Sequence, residues 1–161
     1  MIADSMLRLP RPTRTGSFAA LMSLYESNYV RLGWLLSDLD NLDQAMISSP
    51  DDDFPLYLDL LDTSRYTTTF RLTYWFDDHG TTVPDPDLRV RLYHDARMAE
   101  AMACTQRHLH DALRRFDPAP VIELSRRWTR NVMLNKWLEY CADKGHLFSV
   151  RETEASPLLI S

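Results

Sequence analysis

The chain has 161 residues, 45% of them hydrophobic and 25% charged, which is typical of one folded domain with a buried core. Its formal net charge of -5 argues against a general nucleic-acid-binding protein, because binding to phosphates requires clustered positive charge. The sequence has no apolar run long enough to span a membrane and no signal-peptide pattern, so we expect a cytoplasmic protein.

The N-terminal part is predicted to contain a flexible arm, a helix and a loop. Residues 1–16 carry arginines and prolines without an apolar period, as flexible basic arms do. From Ser17, a suitable N-cap, apolar residues recur at helical spacing as far as Leu39. The acidic segment 48–55 is interrupted by prolines and is expected to form a loop that leads into a sheet.

The middle of the chain alternates apolar and polar residues, as the strands of an antiparallel sheet do. We predict strands at 56–61, 65–76 and 88–93, with turn-forming residues between the first two. The segment 77–87 is expected to be a long turn. The second and third strands each have one apolar face and one face of mainly arginine, threonine and tyrosine.

The C-terminal part contains an ambiguous segment and a clear helix. Residues 95–107 are predicted either to continue as a bulged strand or to begin a helix capped by Asp95, and the helix is the preferred interpretation. Pro120 suits the N-terminus of a long helix, whose apolar stripe runs to Ala142. Gly145 follows at a suitable position for a C-cap.

Together these elements predict a single α+β domain at 17–150. It would consist of an N-terminal helix, an antiparallel sheet of three or more strands, and a long C-terminal helix packed on one face of the sheet. Residues 151–161 are expected to form a loose tail. Cys104 and Cys141 are far apart in the sequence and are interpreted as small buried hydrophobic residues without a disulfide.

Three stretches of sequence are similar to a known family. They are TSRYTT at 63–68, VRLYHDARMAE at 90–100 and NKWLEYC at 135–141. On these residues the chain resembles the YqiB-like bacterial family, a domain of unknown function. The resemblance covers most of residues 20–148 and is weakest after Gln106. It implies a bacterial origin and a shared fold, but no reaction.

The polar face of the predicted sheet, together with the adjoining YHDA corner, is the leading candidate binding site. Guanidinium groups, hydroxyls and tyrosine edges suit a planar anion such as a nucleotide, a phosphate or a carboxylate. The same residue types are common on a solvated sheet face, and they could also pack against a second copy in a homodimer. The candidate residues are Arg65, Tyr66, Thr67, Arg71, Arg91, Tyr93, His94 and Asp95, and the polar row also includes Thr69 and Arg89.

The histidines support two weaker hypotheses. His94 lies beside Asp95 and near Glu100, as a general acid–base residue could, yet adjacent strand residues point to opposite faces and cannot form a dyad. A core histidine is the alternative interpretation of His94. His108 and His110 could share a metal ion on a strand, but their segment favours a helix, which indicates a pair of surface histidines.

Standard catalytic motifs are absent from the sequence. No GxGxxG turn, Walker loop, GxSxG elbow or HExxH helix occurs, so no cofactor is predicted. The arginines between 114 and 130, with Trp128 among them, have acidic neighbours and indicate a solvated helix face.

We therefore predict a non-catalytic binding or regulatory protein that recognises an anionic small molecule or an acidic protein segment. One alternative is an enzyme that acts on a phosphorylated or nucleotide substrate with His94. The other is a homo-oligomeric interaction protein.

Overall fold

Two helices lie on one six-stranded antiparallel sheet in the computed structural model, which describes residues 17–105 and 123–150. This arrangement confirms the predicted α+β class. The predictions for 1–16, 106–122 and 151–161, including the histidine pair, fall outside the described residues. In chain order the elements are α1 (Phe18–Leu35), a 3-10 turn (Leu39–Asn41), β1 (Met46–Ser48), β2 (Leu56–Thr63), β3 (Thr67–Asp78), β4 (Thr81–Tyr93), β5 (Met98–Thr105), α2 (Glu123–Asp143) and β6 (Ser149–Val150).

The start of α1 is the predicted one. The Ser17 side chain accepts a hydrogen bond from the Ala20 backbone N–H at 3.1 Å, which satisfies one of the unpaired donors of the first turn. The helix ends at Leu35, earlier than predicted, and Leu39 instead lies buried in the 3-10 turn. This turn brings the chain to the end of the sheet where the candidate site lies.

All neighbouring strands of the sheet are antiparallel, in the order β5-β4-β3-β2-β1-β6. The long turn predicted at 77–87 is wrong, because β3 and β4 pair almost to their tips and reverse at His79 and Gly80. These two residues have φ angles of 55° and 84°, and the commonest two-residue hairpin turn requires such positive values. Pro84, which suggested a turn, lies opposite Trp75 where the strand register shifts.

Met98–Thr105 form a strand, so of the two predicted alternatives for this segment the preferred one, a helix, is wrong in the described part. β5 pairs with β4 through Ala99 and Ala101, and both alanines are fully buried. Alanine, methionine and glutamate favour helices, but burial against a neighbouring strand outweighs this preference here. The sequence analysis also does not predict β1 and β6, because strands of three and two residues are too short to show alternation.

The core lies between the helices and the apolar face of the sheet. On α2, the side chains of Asn131, Leu134, Leu138 and Cys141 are all fully buried, as the predicted stripe requires. Gly145 follows α2 at a φ of 89°, in agreement with its predicted place at the helix end. The sheet contributes Leu56, Leu58, Phe70, Leu72, Leu88, Val90 and Leu92.

Three buried asparagines join the two helices to the edge strand β5. The Asn131 side-chain oxygen accepts a hydrogen bond from the Ala101 N–H at 2.6 Å and one from the Asn28 amide at 3.2 Å. The Asn28 amide also donates to the Ala99 carbonyl at 3.2 Å, and Asn135 donates to Asn28 at 3.0 Å. These amides provide partners for backbone groups of the edge strand that burial separates from water.

Candidate functional site

One end of the sheet carries a surface cavity of about 440 Å³, which we call the corner cavity. Three chain segments meet there: the 3-10 turn and the residue after it, the β2–β3 connection, and the β4–β5 connection. The base contains buried or half-buried side chains, whereas most residues at the mouth are exposed. The lining residues are Asp40, Leu42, Thr63, Ser64, Arg65, Thr68, His94, Asp95 and Arg97.

The β2–β3 connection is held in shape by its own hydrogen bonds. The Ser64 N–H donates to the Thr67 carbonyl at 2.8 Å, and the two side-chain hydroxyls lie 2.7 Å apart. This turn places Arg65 at the tip, where its guanidinium carbon lies 5.4 Å from the centre of the Tyr66 ring. The His94 N–H donates to the Tyr66 carbonyl at 3.0 Å, so the turn is tied to the end of β4.

The β4–β5 connection holds Arg97 in an uncommon backbone conformation. Its φ is 54°, in the left-handed region that residues other than glycine rarely adopt. The Arg97 N–H donates to the His94 carbonyl at 3.3 Å, which closes the turn. The backbone therefore places Asp95 and Arg97 on the cavity wall at a conformational cost of about 1 to 3 kcal/mol.

His94 lies at the base of the corner cavity between a hydroxyl and a carboxylate. Its Nε2 is 2.8 Å from Thr68 Oγ1, and its buried Nδ1 lies 3.4 Å from Asp40 Oδ1 without forming a hydrogen bond. The Tyr29 hydroxyl donates to the same Asp40 oxygen at 3.5 Å, and burial together with this carboxylate raises the pKa of Tyr29. The carboxylate beside His94 is thus Asp40, not the adjacent Asp95.

The eight candidate binding residues predicted from the sequence divide into those that line the corner cavity and those that do not. Arg65, His94 and Asp95 line the corner cavity, whereas the other five candidates do not. Tyr66 and Thr67 lie in and just after the β2–β3 connection. The rest lie on the face of the sheet opposite the core, which we call the outward face: Arg71, Arg91 and Tyr93.

The outward face is not a row of free cations. Arg71 donates two hydrogen bonds to Asp87, at 3.0 and 3.2 Å, and its guanidinium lies over the Trp75 ring. Arg91 donates to the Thr69 hydroxyl at 3.0 Å.

At the β5 side of the outward face, Tyr93 donates to a buried carboxylate. Its hydroxyl lies 2.8 Å from Glu100, which also accepts a hydrogen bond from Tyr25 of α1 at 2.9 Å. Burial and the Glu100 carboxylate raise the pKa of both tyrosines. Arg71, Arg91 and Tyr93 of the outward face therefore all have hydrogen-bond partners within their own chain.

The comparison with protein families identifies a family to which this chain is similar. A family model described as a protein of unknown function, DUF1249, matches residues 31–147, which is more than half of the chain. The chain belongs to the DUF1249 family. No curated protein and no solved structure matches it significantly. Every residue that lines the corner cavity of this DUF1249 protein lies inside the matched region.

A second histidine of this DUF1249 protein belongs to a buried network that the sequence analysis did not identify. His146 Nδ1 shares a hydrogen bond with the Ser48 hydroxyl at 2.7 Å, and its Nε2 lies 2.9 Å from Asp53. Tyr74 donates to the same Asp53 oxygen at 2.6 Å. Burial favours the neutral acid, but the hydrogen bonds from Tyr74 and His146 hold the pKa of Asp53 below its ordinary value. The network joins β1, the following loop and the segment after α2.

The DUF1249 protein shows no arrangement for a metal ion within 17–105 and 123–150, where no three His, Cys, Asp or Glu side chains are grouped to hold one. No helix in these ranges is long and apolar enough to cross a membrane. Cys104 and Cys141 are free thiols, half-buried and buried respectively. Burial raises the pKa of each thiol to about 12.

Proposed function

We propose that this DUF1249 protein is a non-catalytic binding protein whose corner cavity takes a small molecule with an anionic group. The observation that supports the proposal is the convergence of Arg65, Arg97 and His94 on one cavity. Guanidinium groups bind phosphate and carboxylate oxygens in a bidentate manner, and an imidazole can add a further donor. The volume of about 440 Å³ lies within the range of ordinary small-molecule sites.

The acidic residues of the corner cavity restrict which anions would fit. Asp40 and Asp95 line the same cavity as the two arginines, so a ligand that is negative throughout would be repelled on one side. The hydroxyls of Thr63 and Ser64 offer neutral hydrogen bonds at the mouth. The best ligand therefore combines a phosphate or carboxylate with hydrogen-bond donors elsewhere in the molecule.

The backbone at Arg97 provides independent support for a binding role. A residue other than glycine in the left-handed region is strained, and such strain is concentrated at functional sites. The strain here positions a charged side chain at a cavity. His79 has a similar φ of 55° in the exposed β3–β4 turn, but of these two residues only Arg97 lines the corner cavity.

Thermal unfolding with inorganic phosphate, citrate and nucleoside monophosphates tests the proposal. A ligand at 100 times its dissociation constant stabilises the folded state by about 2.7 kcal/mol, a rise in Tm of roughly 5 to 10 °C for a chain of this size. We expect Arg65→Gln and Arg97→Gln to abolish this rise. Arg126→Gln is the matched control, because Arg126 is an exposed arginine of α2 outside the cavity.

Two results would contradict the binding proposal. One is that no anion in the panel raises the Tm of the wild type. The other is that Arg126→Gln loses the response as fully as the two cavity variants do, since this would show a general effect of charge. Circular dichroism of each variant without ligand checks that the fold is retained.

The contacts of His94 favour a second candidate function, an enzyme that acts on a phosphorylated or nucleotide substrate. His94 lies between the Asp40 carboxylate and the Thr68 hydroxyl, and all three line the cavity. A carboxylate, an imidazole and a hydroxyl in this order could move a proton during hydrolysis. In this case the His94→Gln variant would still bind the product but would lose turnover. If the wild-type protein turned over neither phosphate esters nor nucleotides, this result would argue against catalysis.

A further inference from the structure

The outward face of the sheet has charges in a pattern that a second copy of the chain can match. Across β3, Asp59 of β2 and Arg89 of β4 lie at the same level of the sheet, each beside Arg71. One level further along the strands, Asp62 of β2 and Arg91 of β4 stand on either side of Thr69. At these two positions along β3, the neighbouring strand β2 therefore carries aspartates, and the neighbouring strand β4 carries arginines.

A two-fold axis converts this pattern into two matched sets of charges. When two sheets stack face to face about an axis parallel to β3, the rotation exchanges the two sides of β3 and keeps each level unchanged. Asp59 of one copy then faces Arg89 of the other, and Asp62 faces Arg91. Each contact occurs twice, because a two-fold interface uses the same surface on both subunits.

We propose that the outward face is the interface of a homodimer with its two-fold axis along β3. The helices pack on the opposite face of the sheet. The contact described above between a helix and the outward face, Tyr25 of α1 with Glu100, lies at the β5 edge, away from β2 and β3. The centre of the interface would be neutral, because Arg71 is already paired with Asp87 in its own chain. Trp75, packed on Arg71 and still 37% exposed, adds apolar area to bury.

The contacts inside each chain are compatible with this dimer. Asp59 already interacts within its own chain, and a carboxylate can accept several hydrogen bonds at once. Arg91 uses one N–H on Thr69, and a guanidinium has five. Within one chain, Asp59 and Arg89 are separated by two strand spacings, about 10 Å between their backbones, whereas stacked sheets bring facing side chains into contact.

Charge reversal of single residues tests the interface and its axis together. We expect wild-type protein to sediment as a dimer at micromolar concentration, and Arg89→Glu and Asp59→Lys each to weaken dimerisation at least about tenfold through like-charge contacts. A mixture of the two variants should again form dimers. In the mixed dimer Asp59 of the first variant meets an unchanged Arg89, and the introduced glutamate meets the introduced lysine.

Analytical ultracentrifugation of the two variants, alone and mixed in equal amounts, gives a clear decision. Lys136→Glu, an exposed lysine of α2, is the control and should remain a dimer. A wild type that stays monomeric up to about 100 μM overturns the proposal, since a specific interface of standard size persists at such concentrations. Variants that remain dimeric, or a mixture that remains monomeric, also overturn it, and circular dichroism excludes unfolding as the cause.

Discussion

Replacement of Asn131 by leucine should show that this buried amide acts through hydrogen bonds and not through packing. Leucine has the same number of side-chain heavy atoms with the same branching, so the change leaves no large cavity. It removes the acceptor of the Ala101 N–H, at present 2.6 Å away, and one acceptor of the Asn28 amide. The backbone N–H of Ala101 cannot be removed by mutation, so it would stay buried without a partner.

The expected cost follows from the number of groups left unpaired. A buried donor without an acceptor costs about 1 to 3 kcal/mol, and the loss of one of the Asn28 contacts adds about 1 kcal/mol. We therefore expect Asn131→Leu to lower the free energy of unfolding by about 2 to 4 kcal/mol. For a chain of this length the corresponding fall in Tm is about 4 to 16 °C.

Urea unfolding followed by circular dichroism measures this change, with the slope of the transition compared between variants. Asn41→Leu is the matched control, because the Asn41 amide is exposed and donates only to Asp38 among the hydrogen bonds observed. Its effect should stay within about 0.5 kcal/mol. If Asn131→Leu were neutral or stabilising, apolar packing would outweigh hydrogen bonding at this position, and the reasoning would be refuted.

Three further predictions concern other parts of the molecule. Because the folded-state pKa of Asp53 is lowered, its stabilising contribution is present above its unfolded pKa, near 4, and is lost as pH falls through the folded value. The urea concentration at the midpoint of unfolding should therefore change less between pH 3 and pH 6 in Asp53→Asn than in the wild type. In the folded protein, Cys104 and Cys141 should react with a thiol reagent at pH 8 at least tenfold more slowly than in the unfolded protein, because burial raises the pKa of both thiols to about 12. Equal reaction rates in the two states would contradict this prediction. Ser17→Ala should cost about 1 kcal/mol in chemical denaturation through loss of the helix cap, and no loss would mean that α1 begins elsewhere.

The parts of the fold that follow a local pattern could be predicted from the sequence. The Ser17 cap, the buried stripe of α2 and Gly145 after its end all depend on residues close together in the chain. The parts that depend on distant pairing could not be predicted. β5 has a helix-favouring composition, and only its neighbours β4, α1 and α2 make it a strand.

The candidate site shows the same limit. The sequence pointed to the corner at His94, but it could not identify Asp40, which follows α1 and reaches the histidine only through the tertiary fold. Arg71 and Arg91 were predicted on the polar side of the sheet, where they lie. Their partners Asp87 and Thr69 become apparent only when the strand register is known.

The asparagines along β5 also determine where the sheet can grow. An edge strand with unpaired backbone groups is a template on which another chain can add a strand and start aggregation. Here the amides of Asn28 and Asn131 occupy positions at Ala99 and Ala101 that such a strand would need. At the opposite edge β6 has only two residues, too short to hold an added strand in register. The β5 edge of the described sheet thus discourages the addition of a further strand.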